Sequence, residues 1–195
     1  MSRLMRTSEI TKRPVVTMAG HDIAQIKDVV YAADGGSVHG FTLAGRGLFS
    51  GPRSEVLTWT SVAALGADAV MIADADALRD RASLFGSSGA PSSARADVLG
   101  SRVLTDAGTD LGVVVDVVVE VQGAGDECDV VGYEIEASEA MENSGTRVLM
   151  PLPDTIAASG ENLIVPASAK DFVRHDLAGF GAAVEEFRTQ LAGGH

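Results

Sequence analysis

The 195-residue sequence holds one cysteine, one tryptophan, two tyrosines and four histidines, and each scarcity closes off a class of protein. A single thiol, Cys128, rules out an intramolecular disulfide. It sits in Asp126-Glu-Cys-Asp129, where carboxylates disfavour the thiolate that a nucleophile needs. His21, His39, His175 and His195 are scattered, with no His-x-x-x-His or Cys-x-x-Cys spacing to build a zinc site. Gly-x-Ser-x-Gly, a dinucleotide glycine pattern and a calcium loop are all missing. The chain is therefore expected to be a non-enzyme, with no catalytic, cofactor-binding or metal-binding residues. No apolar run approaches the ~20 residues that cross a bilayer as a helix. Met1–Pro14 is polar and basic and lacks the apolar centre of a signal peptide, so a cytoplasmic location is expected.

Basic residues are also few. Fifteen Lys and Arg face 27 Asp and Glu, for a net charge of −12. The deficit is one-sided: residues 1–84 carry 9 basic and 9 acidic side chains, and residues 85–195 carry 6 and 18. Nucleic-acid binding rests on phosphate neutralisation, so the second half repels a polyanion and no direct nucleic-acid contact is expected. Asp126, Glu127, Asp129, Glu134 and Glu136 crowd one stretch and read as a solvated acidic face.

What is present in quantity is valine and glycine. Asp110–Val121 is valine-rich and punctuated by Gly112, which reads as a central strand. Its odd positions from Val113 to Val121 form a wholly apolar face, expected to point into a core. Asp22–Tyr31 repeats the pattern in weaker form. With Gly20 on Gly108, Ile23 falls on Leu111, Asp28 on Asp116 and Val30 on Val118. Val38–Leu43 then matches Val130–Ile135, and Val70–Ile72 matches Leu163–Val165. A repeat this long is one domain duplicated, not a solenoid.

Gly108–Val119, Val131-Gly-Tyr133 and Val148–Val165 resemble the PRC-barrel family, the small β-barrel found in the photosynthetic reaction-centre H subunit and in a ribosome-maturation factor. The first half resembles it more loosely, with Ala24 where the second copy has Gly112. The resemblance implies an all-β fold of two small antiparallel PRC-barrel-like barrels in tandem, and a docking module with no catalytic residues. The expected domains are 7–78 and 97–173, joined by a linker over 79–96 and followed by a C-terminal amphipathic helix over 176–192.

Local signals fill in this frame. Met1–Arg6 reads as a disordered arm, Asp34-Gly35 as a tight hairpin turn, and Asp74–Leu84 as a short helix. In the helix Leu177, Phe180, Val184, Phe187 and Leu191 share one face, which covers a barrel end or edge strand, or else meets a partner. Ala44–Arg53 is a glycine-rich loop with two arginines and an apolar Leu48-Phe49 pair. Arg46, Leu48, Phe49, Arg53, Phe180 and Phe187 are the candidate partner contacts. The expected function is docking of an unidentified protein, with a homodimer as one form. One alternative is a ribosome-associated factor binding a basic ribosomal protein; another is a small-ligand or metal-binding protein.

Overall fold

The computed structural model describes residues 3–32, 35–45, 51–85, 98–123, 125–152, 157–159 and 161–193. The chain is mostly β and divides into two compact units. The first comprises Met1–Ala96 together with Glu120–Asp129, and the second Asp97–Val119 with Val130–His195.

In the first unit, β1 (Arg3–Arg6) is followed by β2 (Pro14–Thr17), β3 (Asp22–Tyr31), β4 (Val38–Ala44) and β5 (Pro52–Thr58). β6 (Val62–Leu65), β7 (Val70–Ile72) and β8 (Arg79–Asp80) come next, then a helical turn α1 (Ala82–Phe85). The sheet order is β6-β7-β2-β3-β4-β5-β8. β2 and β7 pair in parallel, with Val15 opposite Val70; the other pairs are antiparallel. Ala24, Ile26, Phe41, Leu43 and Leu57 are completely buried. Phe41 meets Trp59 edge-on, with ring centroids 6.0 Å apart.

The second unit is built on β9 (Arg102–Thr105), β10 (Asp110–Val121), β11 (Cys128–Ala137), β12 (Arg147–Pro151), β13 (Ala157–Ser159) and β14 (Asn162–Val165). Its strands follow the path β12-β11-β10-β9-β14-β13. Read backwards, this is the path of the first unit from β6 to β5. The parallel pair recurs, with Val103 opposite Leu163 where the first unit has Val15 opposite Val70. So does a bulge at the start of the long strand, between Asp22 and Ala24 and again between Asp110 and Gly112. The helix α2 (Leu177–Gly193) packs on β12 and on the 3-10 helix Ala167–Phe172.

Several local expectations are corrected. Arg3–Arg6 is a strand with Met5 fully buried, not a disordered arm. Asp74–Leu84 is not a helix. The Asp74 carboxylate caps a single 3-10 turn by accepting from the Asp76 N–H, and Leu78 is already extended. Arg79 and Asp80 then pair with Val56 and Glu55, and Phe85 packs on Val30 and Val56. Residues 79–85, expected to open the linker, are thus part of the first sheet and its cover; 86–96 lie outside the described residues, as does Asp34 of the expected hairpin turn.

The alternation on β10 also differs. Val113 is 39% exposed and Val114 is buried, while Asp116 to Val119 are buried without a break. In the first repeat the register shifts between Ile26 and Asp28, at the place Val115 holds in the second. On β10 the apolar odd face is buried only from Val117 onward, and Asp116 and Val118 on the even side are buried with it.

The repeat runs further than its sequence match. Arg79 pairs with Val56 on the edge strand, and Arg174 bridges Leu149 at the corresponding place on β12. Just beyond each arginine comes a helical side chain that sits on a glycine. A Cβ on Gly40 would strike Leu84 and the Leu57 carbonyl; on Gly132 it would strike the Phe180 ring and the Met150 carbonyl. α1 and α2 are therefore the same cover at two lengths.

Candidate functional site

Of the six candidate contacts, Arg46, Leu48 and Phe49 fall outside the described residues. Arg53 is half-buried and committed to its own barrel: its Nε donates to Glu55 Oε2 at 2.8 Å and its Nη1 to the Ile23 carbonyl at 2.7 Å. That bond from Arg53 holds the Glu55 carboxyl below its ordinary value. Phe180 and Phe187 are fully buried, Phe180 over Gly132 and Phe187 with its ring centroid 5.0 Å from that of Phe172. Neither presents a side chain to a partner, which corrects their place among the contacts. The periodicity located the helix face correctly, but that face covers the chain's own strands.

The duplicated aspartates have different surroundings. Asp28 is exposed, accepts from Thr42 Oγ1 at 3.0 Å and has Lys27 Nζ at 3.4 Å. Asp116 is buried and accepts the Val117 N–H at 2.8 Å. Where the first repeat has Thr42, the second has Glu134, also buried, with Arg147 Nη1 at 3.9 Å. Both aspartates thus accept hydrogen bonds, Asp28 beside a register shift of its strand. Among the described residues, no three His, Cys, Asp or Glu side chains gather to hold a metal.

Two concave places stand out. One belongs to the first unit and was missed in the sequence, because Gln122–Asp129 reads as a polar hairpin loop. Its residues complete the first barrel. Trp59 Nε1 donates to the Asp126 carbonyl at 2.6 Å, and Ser37 and Asp129 form an antiparallel bridge. Gly125, at φ +75°, lies against the carbonyls of Thr60 and Val62. A cavity of about 440 Å³ remains beside Trp59, His39 and Cys128. The Cys128 thiol is 2% exposed, and burial, aided by Asp129, pushes its pKa up to about 12. It is inert as a nucleophile at neutral pH.

The second is a cavity of about 580 Å³ at one end of the second unit. Its walls are the β9–β10 turn, the loop after β11 and the 3-10 helix Ala167–Phe172. The Thr109 N–H donates to Thr105 Oγ1 at 2.9 Å, and the Ala167 N–H to Asp106 Oδ1 at 3.0 Å. Ser138 Oγ donates to the Asp110 carbonyl at 2.6 Å, tying the loop after β11 to the start of β10. The walls are thus fixed by the fold.

A sheet of this order, rolled around an apolar centre and closed by a helical turn, makes the first unit a small β-barrel module. Residues 3–79 match the family model of the PRC-barrel domain. No curated protein matches the chain. No helix among the described residues is long and apolar enough to cross a membrane.

Proposed function

We propose that this chain is a non-enzymatic docking module that recruits another protein. The observation that carries the reading is the Trp59 end of the first barrel. There a PRC-barrel domain already holds a remote polypeptide segment, through an indole N–H, one antiparallel bridge and a glycine set against carbonyls. Recognition through backbone groups is the chemistry by which sheet edges and barrel ends take up peptides. Cytoplasmic residence and self-association as a dimer belong to the same proposal.

A second reading, a ribosome-associated factor that binds a basic ribosomal protein, draws support from charge. The second unit carries 14 acidic and 5 basic side chains, and complementary charge favours a basic partner. The test is affinity capture of the tagged full chain from native cytosol, with and without ribonuclease, at low and high salt. A stoichiometric protein partner retained after ribonuclease is the expected result. Retention that weakens steeply with salt points to the basic partner. Capture of ribosomal components only while RNA is intact, or of nothing, overturns the docking reading.

A further inference from the structure

The second unit has five basic residues, and four are paired. Arg102 pairs with Asp110 at 2.6 Å, Arg147 with Glu134 at 3.9 Å, Arg174 with Glu186 at 3.6 Å and Arg188 with Glu185 at 3.1 Å. The fifth, Lys170, has no ion-pair partner among the described residues, and it lines the 580 Å³ cavity. In a unit with nearly three acids for every base, an uncommitted lysine is the exception. Glu142 and Asp171 line the same cavity and are likewise unpaired among the described residues; Asn143 adds a side-chain amide. Leu111, Met141 and Val173 supply apolar lining.

This set selects by charge. A simple anion drawn to Lys170 meets two carboxylates, and a simple cation drawn to those carboxylates meets Lys170. A molecule bearing both charges satisfies both sides, since each charge offsets one that the cavity leaves unpaired. The apolar lining adds a place for a side chain, and the volume falls in the range of small-molecule sites, roughly 300–1,000 Å³. We propose that this cavity binds a zwitterionic α-amino acid with an apolar side chain. The carboxylate lies on Lys170, the ammonium faces Glu142 and Asp171, and the side chain rests on Leu111, Met141 and Val173. No residue lines both this cavity and the Trp59 end, so its failure and that of the docking reading show in different experiments.

The experiment is calorimetric titration of the full chain with four probes: leucine, N-acetyl-leucine, leucinamide and glycine. They keep both charges, remove the cation, remove the anion and remove the side chain, in that order. Leucine is expected to bind, and each of the others to bind at least about tenfold more weakly, the step that one lost contact of moderate strength produces. Lys170→Met is expected to bring leucine down to the level of leucinamide. The double variant Glu142→Gln/Asp171→Asn is expected to bring it to the level of N-acetyl-leucine. All three positions are exposed, so the variants should keep the wild-type melting temperature. No binding of leucine at millimolar concentration overturns the proposal. So does equal binding of all four probes, or leucine binding that neither variant changes.

Discussion

The two repeats share a strand path, a parallel strand pair, an entry bulge and a glycine under a helical side chain, yet they are covered very differently. On the first, Leu84 and Phe85 of a single described turn reach Gly40, Val30 and Val56. On the second, a 17-residue helix carries Phe180 over Gly132 and buries Ala183, Val184 and Phe187 besides. The sequence of the second cover suits its length, since Ala-Ala-Val-Glu-Glu-Phe-Arg follows Gly181 and favours a helix. The lesson is that the barrel supplies the same seat twice and that a leucine fills it in one repeat and a phenylalanine in the other.

The most severe break in this comparison is Phe180→Ala. It should cost about 3–5 kcal/mol, as removal of a buried aromatic ring does. Phe85→Ala on the first repeat should fall at or below the bottom of that range, because its cover is smaller. Urea denaturation of the two variants reads the difference. If Phe85→Ala costs as much as Phe180→Ala, the two covers are energetically equal despite their lengths.

Exchange at the entry bulge comes next. Gly112 has φ +139°, and a Cβ there would run into the Glu136 carbonyl. Gly112→Ala should therefore cost about 2–4 kcal/mol through overpacking and backbone strain. The converse change, Ala24→Gly, should cost about 1 kcal/mol, since Ala24 occupies its place without a positive φ. Equal costs in thermal or chemical denaturation would mean that the two bulges are under the same constraint.

A smaller effect concerns Cys128. Its folded pKa, raised to about 12, lies above its ordinary value of 9.0, so the folded state holds the proton more tightly. That contribution is complete below about pH 9 and is lost as pH rises from there toward 12. Denaturation curves taken upward from about pH 9 should fall more steeply for the wild type than for Cys128→Ala. At neutral pH a thiol reagent should label Cys128 only as fast as the hairpin opens.

The smallest effect is at Arg53. The hydrogen bond to Glu55 contributes stability above the ordinary carboxylate pKa, and that stability is lost as pH falls through the lowered folded value. Both side chains are about a third exposed or more, so screening limits the share of the loss in Arg53→Met that comes from Glu55 to roughly 0.5 kcal/mol. The share that depends on Glu55 should vanish in acid, where both proteins carry a protonated Glu55, and the share from the lost bond to the Ile23 carbonyl should remain.

Much of the architecture was legible because it is written in short-range patterns. Runs of β-branched residues, the Gly–aromatic pairs at Gly40 and Gly132, and the aligned Asp28 and Asp116 located the long strands and their duplication. The bulge at Lys27 was not legible, since period-two alternation carries no mark of an inserted residue. Nor were the pairings of Arg79 and Arg174, because a strand of one or two residues has no periodicity. The site residues were the least visible. Gln122–Asp129 looks like any polar turn until Trp59 is seen donating to it, and Lys170 stands out only once the other four bases are seen to be paired.

The hydrogen bond from Trp59 to the Asp126 carbonyl spans 67 residues of sequence, which gives the N-terminal barrel a late deadline. At a synthesis rate of about 5–20 residues per second, the hairpin that completes it is made roughly 3–13 s after Trp59. For that interval the nascent barrel must keep its indole end open. The unit made first is therefore finished only after synthesis of the second has begun, and a pause in translation between the two segments prolongs the exposure of its tryptophan.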